Sequence, residues 1–275
     1  MNRYPDLFPP PGAAFPWRMA ALLLAGFSVL ALAQWMGLPQ TESYAALKKL
    51  LLSVLPADLW SELTHAGDLR VLLCLLSPLL LIRPMLVYAL LAAAPAGGLA
   101  SVILKRLFQA ARPEEISAGI AYAIETATTQ RYDSFPSGHA LTVFAVLGIF
   151  LGSVVGGHVR RIWLIALVLA GSVIALAAMS RVALGVHWPR DIAAGAILGC
   201  LLGRVGISIV RAFAVQLQSH RLNLAVHALI VVLGFLMLRE AYSDPGSARL
   251  PQLAVLMAAG SLSYRLIWWR GAPRQ

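Results

Sequence analysis

Three short clusters carry the side chains in this sequence whose types and spacing can do chemistry: Lys105…Arg112-Pro113, Pro136-Ser137-Gly138-His139 and Ser180-Arg181…His187…Asp191. They supply three cations, two imidazoles, one carboxylate and a glycine-containing turn, each cluster lying at the end of a long apolar stretch. Such a set can bind a phosphate, attack its phosphorus and protonate the group that leaves. Lys105 and Arg112 are spaced close to two helical turns apart, so a continuing helix presents both on one side until Pro113 stops it. The guanidinium offers a rigid fork to phosphate oxygens and the ammonium a mobile point charge. Ser137 suits a helix N-cap and Gly138 admits close approach of an anion, so the exposed N–H groups and dipole at that helix start form an anion site beside His139. Arg181 closes an apolar run, where a boundary charge points to function. Pro189 opens the next helix and puts Asp191 in its first turn, four residues after His187. There it can accept the Nδ1–H, fix the tautomer and leave Nε2 free as a nucleophile. Taken singly, each cluster also fits an ordinary reading: snorkelling cations, a capped helix with an interfacial histidine, or an aspartate favoured by a helix dipole.

The elements that must position these residues are membrane helices. Of 275 residues, 59% are hydrophobic and 12% charged, with a mean hydropathy of +0.77; soluble domains carry about twice that charged fraction. In hydrocarbon every backbone polar group must be paired within its own segment, which predicts an all-α polytopic bundle forming one membrane domain over 1–275. Apolar stretches of about 20 residues predict spans near 18–37, 69–83, 85–104, 139–157, 162–182, 191–211, 222–239 and 252–269. The run from Trp17 reads as a first transmembrane helix rather than a removed signal peptide. Residues 41–63 place Tyr44, Leu47, Leu51 and Leu55 at helical spacing with Lys48 and Lys49 opposite, an amphipathic helix that lies in the interface or packs on the bundle. The polar connection from Glu114 to Asp133 is expected to form a lid or rim over the site.

Net charge is +10, yet no Lys/Arg run with interleaved aromatics appears, which argues against nucleic acid as a partner. With the N-terminus inside, Arg3, Arg18, Arg83, Arg160, Arg161 and Arg211 fall on the cytoplasmic side, as the positive-inside rule asks. The opposite loops still hold Lys48, Lys49, Lys105, Arg112 and Arg181, an excess that a phosphate site on that face explains. Cys74 and Cys200 read as packing residues, and no carboxylate cluster suits Mg²⁺.

The three clusters together resemble the signature motifs of the type 2 phosphatidic acid phosphatase (PAP2) superfamily: Lys-x6-Arg-Pro, Pro-Ser-Gly-His and Ser-Arg-x5-His-x3-Asp. Every fixed position is matched, in order. The resemblance implies that His187 attacks phosphorus and becomes a phosphohistidine, that Asp191 orients it, and that His139 protonates the leaving group and then activates water. It implies that Lys105, Arg112, Arg181, Ser137 and the backbone N–H of Gly138 bind the phosphate oxygens, with neither metal nor cofactor. It also implies a six-helix core, here 18–212, so that 213–275 adds two further hydrophobic helices that complete a lipid groove, form a dimer interface or bind a partner. The expected substrate is a lipid phosphate with its tail among the membrane lipids of a bacterial cytoplasmic membrane and its headgroup at the periplasmic or exterior face. Undecaprenyl diphosphate and glycerophospholipid phosphates (phosphatidylglycerol phosphate, phosphatidic acid) lead, with lipid A phosphate behind them. A lipid phosphotransferase using the same phosphohistidine, a vanadium haloperoxidase and a non-enzymatic lipid transporter are the rivals. Arg106, Arg131, Arg190, Glu114 and Glu115 are open candidates for headgroup choice.

Overall fold

The computed structural model describes residues 17–113, 133–154, 161–241 and 249–268. Its elements are α1 (Trp17–Trp35), α2 (Thr41–Val54), α3 (Ala57–His65), α4 (Leu69–Leu76), α5 (Leu79–Ile82), α6 (Pro84–Phe108), α7 (Gly138–Val154), α8 (Arg161–Ala183), α9 (Pro189–Ala212), α10 (His220–Ala241) and α11 (Arg249–Trp268). The expected all-α bundle is what forms, with no strand among the described residues. Among the described residues, five helices are long and apolar enough to cross a membrane: Arg18–Trp35, Pro84–Phe108, Pro189–Ala212, His220–Arg239 and Arg249–Ile267. Gly138–Gly152 and Val168–Ala183 are shorter apolar helices among the described residues. The chain is a multi-pass membrane protein.

Two expected elements are broken by proline. The span near 69–83 is α4 and α5, interrupted at Ser77-Pro78, because Pro78 has no N–H to give the carbonyl a turn back. Ser77 stays satisfied by donating its hydroxyl to the Cys74 carbonyl at 2.7 Å. Likewise 41–63 is not one amphipathic helix. Leu55 is extended ahead of Pro56, as a residue before proline prefers, so α2 stops and α3 folds back, with the buried Trp60 donating its indole N–H to the Leu51 carbonyl at 3.1 Å.

The helix α9 is the hub, packing on α7, α6 and α1. Gly195, Gly199 and Gly203 recur every four residues on one face, and a Cβ on any of them would strike the α7 backbone at Ser137, Leu141 and Ala145 respectively. On another face Gly206 meets the Ala89 backbone of α6 in the same way. Small residues let membrane helices approach until their backbones touch. This contact matters for chemistry because α7 begins beside His139 and α9 begins beside His187 and Asp191.

The C-terminal pair α10 and α11 packs on itself and on α4, and α11 also reaches α3. The pair is locked by polar contacts between buried groups: His227 Nε2 and Ser261 Oγ lie 2.8 Å apart, Ser261 Oγ and Ser77 Oγ 3.1 Å, and Asn223 donates to the Leu80 carbonyl at 3.1 Å. Glu62 of α3 accepts the N–H groups of Arg249 (3.2 Å) and Leu250 (2.9 Å), covering the start of α11. Alanine at Ser261 deprives two buried groups of a partner. It is expected to lower stability by about 1–2 kcal/mol in detergent unfolding while turnover stays at the wild-type level. Unchanged stability would mean that these bonds do not hold the pair to the core.

Candidate active site

The first cluster does not lie on one continuing helix. α6 ends at Phe108, and Gln109 adopts a left-handed conformation (φ 42°) with its N–H on the Lys105 carbonyl, a C-terminal cap that turns the chain before Arg112. Lys105 is therefore on the last turn and Arg112 on the segment beyond it. A carboxylate the sequence reading left unassigned brings them together. Asp133 lies 3.3 Å from Lys105 Nζ and accepts from Arg112 through Nε (3.1 Å) and Nη2 (2.9 Å). The Trp188 indole donates to the Ala111 carbonyl at 2.8 Å, fastening this segment to the third cluster.

In the second cluster the serine cap expected from the residue type forms. Ser137 Oγ accepts the Ala140 N–H at 3.4 Å, an N-cap contact, and Ser137 itself is fully buried. Its own N–H donates to the Asp191 carbonyl at 3.1 Å, tying the start of α7 to the start of α9. Phe135, with no exposed surface, fills the space between Phe108 and Phe27 at ring separations of 4.8 and 6.2 Å. His139 packs against Gly67, where a Cβ would come within 2.6 Å of the imidazole, so the turn between α3 and α4 must be glycine for the ring to sit there.

In the third cluster Arg181, on the last turn of α8, donates through Nη1 to Thr64 Oγ1 at 2.8 Å. Its carbonyl accepts the N–H of Val186 and of His187, a tight reversal that Gly185 permits at φ 84°. His187 is 2% exposed and Asp191 fully buried. The Asp191 Oδ2 atom receives the Trp188 backbone N–H at 2.9 Å and the Ser134 hydroxyl, and faces His187 Nδ1 at 3.4 Å. Ser134 Oγ is itself 3.4 Å from that Nδ1. The carboxylate is thus held from three sides in the place where it can fix the imidazole tautomer.

Electrostatics follow from this packing. Burial first, then the cations Arg181, Arg112 and Lys105, hold His187 well below its ordinary 6.5, with Asp133 pulling the other way. At neutral pH the ring is uncharged, and with Nδ1–H toward Asp191 the lone pair is on Nε2. His139 is within electrostatic reach of Arg181, His187, His65 and Lys105. His187 thus lies within electrostatic reach of Lys105, Arg112 and Arg181, and the Ser137–Asp191 backbone bond joins the second cluster to the third.

The sequence reading missed Asp133, Ser134, Thr64 and Gly67. Ser134 lies two residues before Pro136, so adjacency was its signal. Thr64 and Gly67 lie far along the chain from every cluster and carried none. Arg190 is occupied elsewhere: it donates to the Leu38 carbonyl (2.9 Å) and Gln34 Oε1 (3.4 Å), clamping the α1–α2 connection. Arg131, Glu114, Glu115 and the expected lid up to Tyr132 lie outside the described residues.

Residues 85–214, the stretch that holds all three clusters, match the PAP2 superfamily. Decaprenylphosphoryl-5-phosphoribose phosphatase from two strains of Mycobacterium tuberculosis is 32% identical over 109 residues, 40% of this chain and 52% of the relative. The chain thus aligns with about half the length of these curated relatives. Among solved structures, the first transmembrane PAP2 type phosphatidylglycerolphosphate phosphatase from Bacillus subtilis shares the fold, with a TM-score of 0.51 and 24% identity over 73% of this chain and 98% of that one.

Proposed function

We propose that this protein is an integral-membrane lipid phosphate phosphatase that works through a phosphohistidine on His187. The observation that carries the reading is the convergence of Lys105, Arg112 and Arg181 on a buried, uncharged His187 whose Nδ1 faces Asp191. The cations, with Ser137 and the N–H of Gly138, bind the non-reacting phosphate oxygens, where charge gathers in the transition state. His187 Nε2 forms a bond to phosphorus as the bond to the leaving oxygen breaks, and protonated His139 gives that oxygen its proton. Neutral His139 then takes a proton from water, whose oxygen attacks the phosphohistidine, releasing phosphate and restoring both imidazoles.

A cavity of about 290 Å³ supports a lipid as the substrate. It begins at Gly138 and His139 and runs along the small-residue face of α6, through Ser101, Gly98, Ala94 and Leu90. Eleven residues of helix rise about 16 Å, enough for a long stretch of extended hydrocarbon. A single-chain or polyprenyl tail can lie there with its phosphate at the cations. The relatives point to two lipid classes, polyprenyl-linked and glycerophospholipid phosphates, consistent with a periplasmic or exterior site on a bacterial cytoplasmic membrane.

The test is phosphate release by purified protein in detergent with a metal chelator present. The panel comprises undecaprenyl diphosphate, a polyprenyl-linked sugar phosphate, phosphatidylglycerol phosphate, phosphatidic acid and lipid A. Release from one class, absent in His187→Ala, supports the reading and selects the substrate. Transfer of label to a second lipid without release makes the protein a transferase; no reaction with any lipid overturns the enzyme reading.

A further inference from the structure

Asp133 pairs with two of the cations proposed to bind phosphate, and none of the three clusters contains it. Its carboxylate engages Lys105 and Arg112, two of the three cations that the proposed mechanism gives to the substrate phosphate. The three side chains are mostly shielded, with 16% of Asp133, 22% of Lys105 and 13% of Arg112 exposed. Carboxylate and phosphate ask for the same thing from a guanidinium, two charge-assisted N–H bonds from one edge, and the Nε–Nη2 edge of Arg112 is already given to Asp133 Oδ1.

We propose that Asp133 is an internal anion that competes with phosphate for Lys105 and Arg112, and so sets which anions enter the site and how readily inorganic phosphate leaves. The inference rests on the phosphatase reading. While the site is empty, Asp133 keeps two long cationic side chains paired and aimed, which lowers the cost of ordering them later. An incoming anion must replace that pairing. A terminal phosphate with two negative charges replaces it fully, whereas a singly charged phosphodiester does not, so the carboxylate biases the subsite toward monoester and diphosphate ends. After hydrolysis the same group re-pairs with the cations as phosphate departs. Its charge opposes that of Arg181, Arg112 and Lys105 at His187, which places it among the groups acting on the reacting imidazole.

The experiment is titration of inorganic phosphate into the purified full-length protein in detergent. Direct binding is followed by calorimetry and, separately, by inhibition of lipid turnover, in wild type, Asp133→Asn and Asp133→Glu. Asparagine preserves the size and part of the hydrogen bonding while removing the competing charge. It is expected to bind phosphate about tenfold more tightly, with slower product release and a lower kcat, and to lose discrimination against a phosphodiester analogue. Glutamate keeps the charge and is expected to restore weaker phosphate binding. Phosphate binding by Asp133→Asn that equals or falls below wild type, in an active wild-type enzyme, would overturn the proposal and leave Asp133 as a group that only aligns the cations. Absence of turnover in wild type, with phosphate binding intact, strikes instead at the phosphatase reading. Should the asparagine variant fail to fold, the wild-type structure with orthovanadate bound decides: Asp133 moved off Arg112 supports competition, and Asp133 still paired with both cations refutes it.

Discussion

Alanine at His187 is expected to bring lipid phosphate turnover to background, a loss of at least about 10⁴-fold, and to abolish any phosphoenzyme. No other described group is placed to substitute. His139 is held against Gly67, Ser134 Oγ is engaged by Asp191, and Asp191 lies behind the imidazole on its Nδ1 side. The fold should tolerate the change, since Asp191 keeps the Trp188 N–H and the Ser134 hydroxyl as partners. The measurement pairs phosphate release with isolation of protein-bound phosphate after rapid mixing with labelled substrate. Protein-bound phosphate persisting in His187→Ala would place the nucleophile elsewhere. The pH dependence has a definite sign. Because burial and three cations depress the pKa of His187 below 6.5, the reactive free base is already populated at neutral pH. The rate should therefore rise with pH through that depressed value, on the acid side of 6.5, and show no further gain from this group above it. The same depression means that below pH 6.5 the unfolded chain takes up a proton that the folded site refuses, so His187 destabilises the fold as pH falls through that range.

Glutamine at His139 is expected to slow turnover by about 10²–10⁴-fold through loss of proton transfer, with a different signature. Glutamine can neither protonate a poor leaving group nor activate water. With a lipid substrate both chemical steps suffer. With an aryl phosphate, whose leaving group needs no proton, formation of the phosphohistidine should survive while its hydrolysis does not. The variant should then release one equivalent of aryl alcohol in a burst and accumulate alkali-stable, acid-labile phosphate on the protein. His187→Ala should show neither. A His139→Gln variant that turns over the aryl substrate steadily, without accumulation, would remove His139 from the water-activation step. The two variants together separate nucleophile from acid–base group, which loss of activity in either alone does not.

Several features of the site were legible because they depend on short-range geometry. His187 and Asp191 are four residues apart with Pro189 between them, and the turn into α9 sets their relation whatever the rest of the bundle does. The Ser137 cap and the start of α7 are equally local, as is the placing of each cluster at the end of an apolar run. The same logic failed where a local pattern was extended too far. Lys105 and Arg112 were expected on one helix because their spacing allows it, but the chain caps at Gln109 and their shared target is Asp133. The breaks at Pro56 and Pro78 were present in the sequence, and apolar periodicity on both sides concealed them.

The sequence by itself determined the chemical inventory, the membrane-embedded all-helical class and the order of the clusters along the chain, because residue type, hydropathy and near-neighbour spacing are properties of the chain before it folds. The tertiary structure alone decided which distant groups hold that inventory in place: Thr64 on Arg181, Gly67 against His139, Ser134 on Asp191 and Asp133 between two cations. It also decided that α10 and α11 close onto α4 through Ser77, His227 and Ser261. The physical reason is that contacts between remote segments depend on how closely helices can cross, and that distance is set by backbone meeting backbone along Gly195, Gly199 and Gly203, a relation between two helices that neither one's sequence states alone.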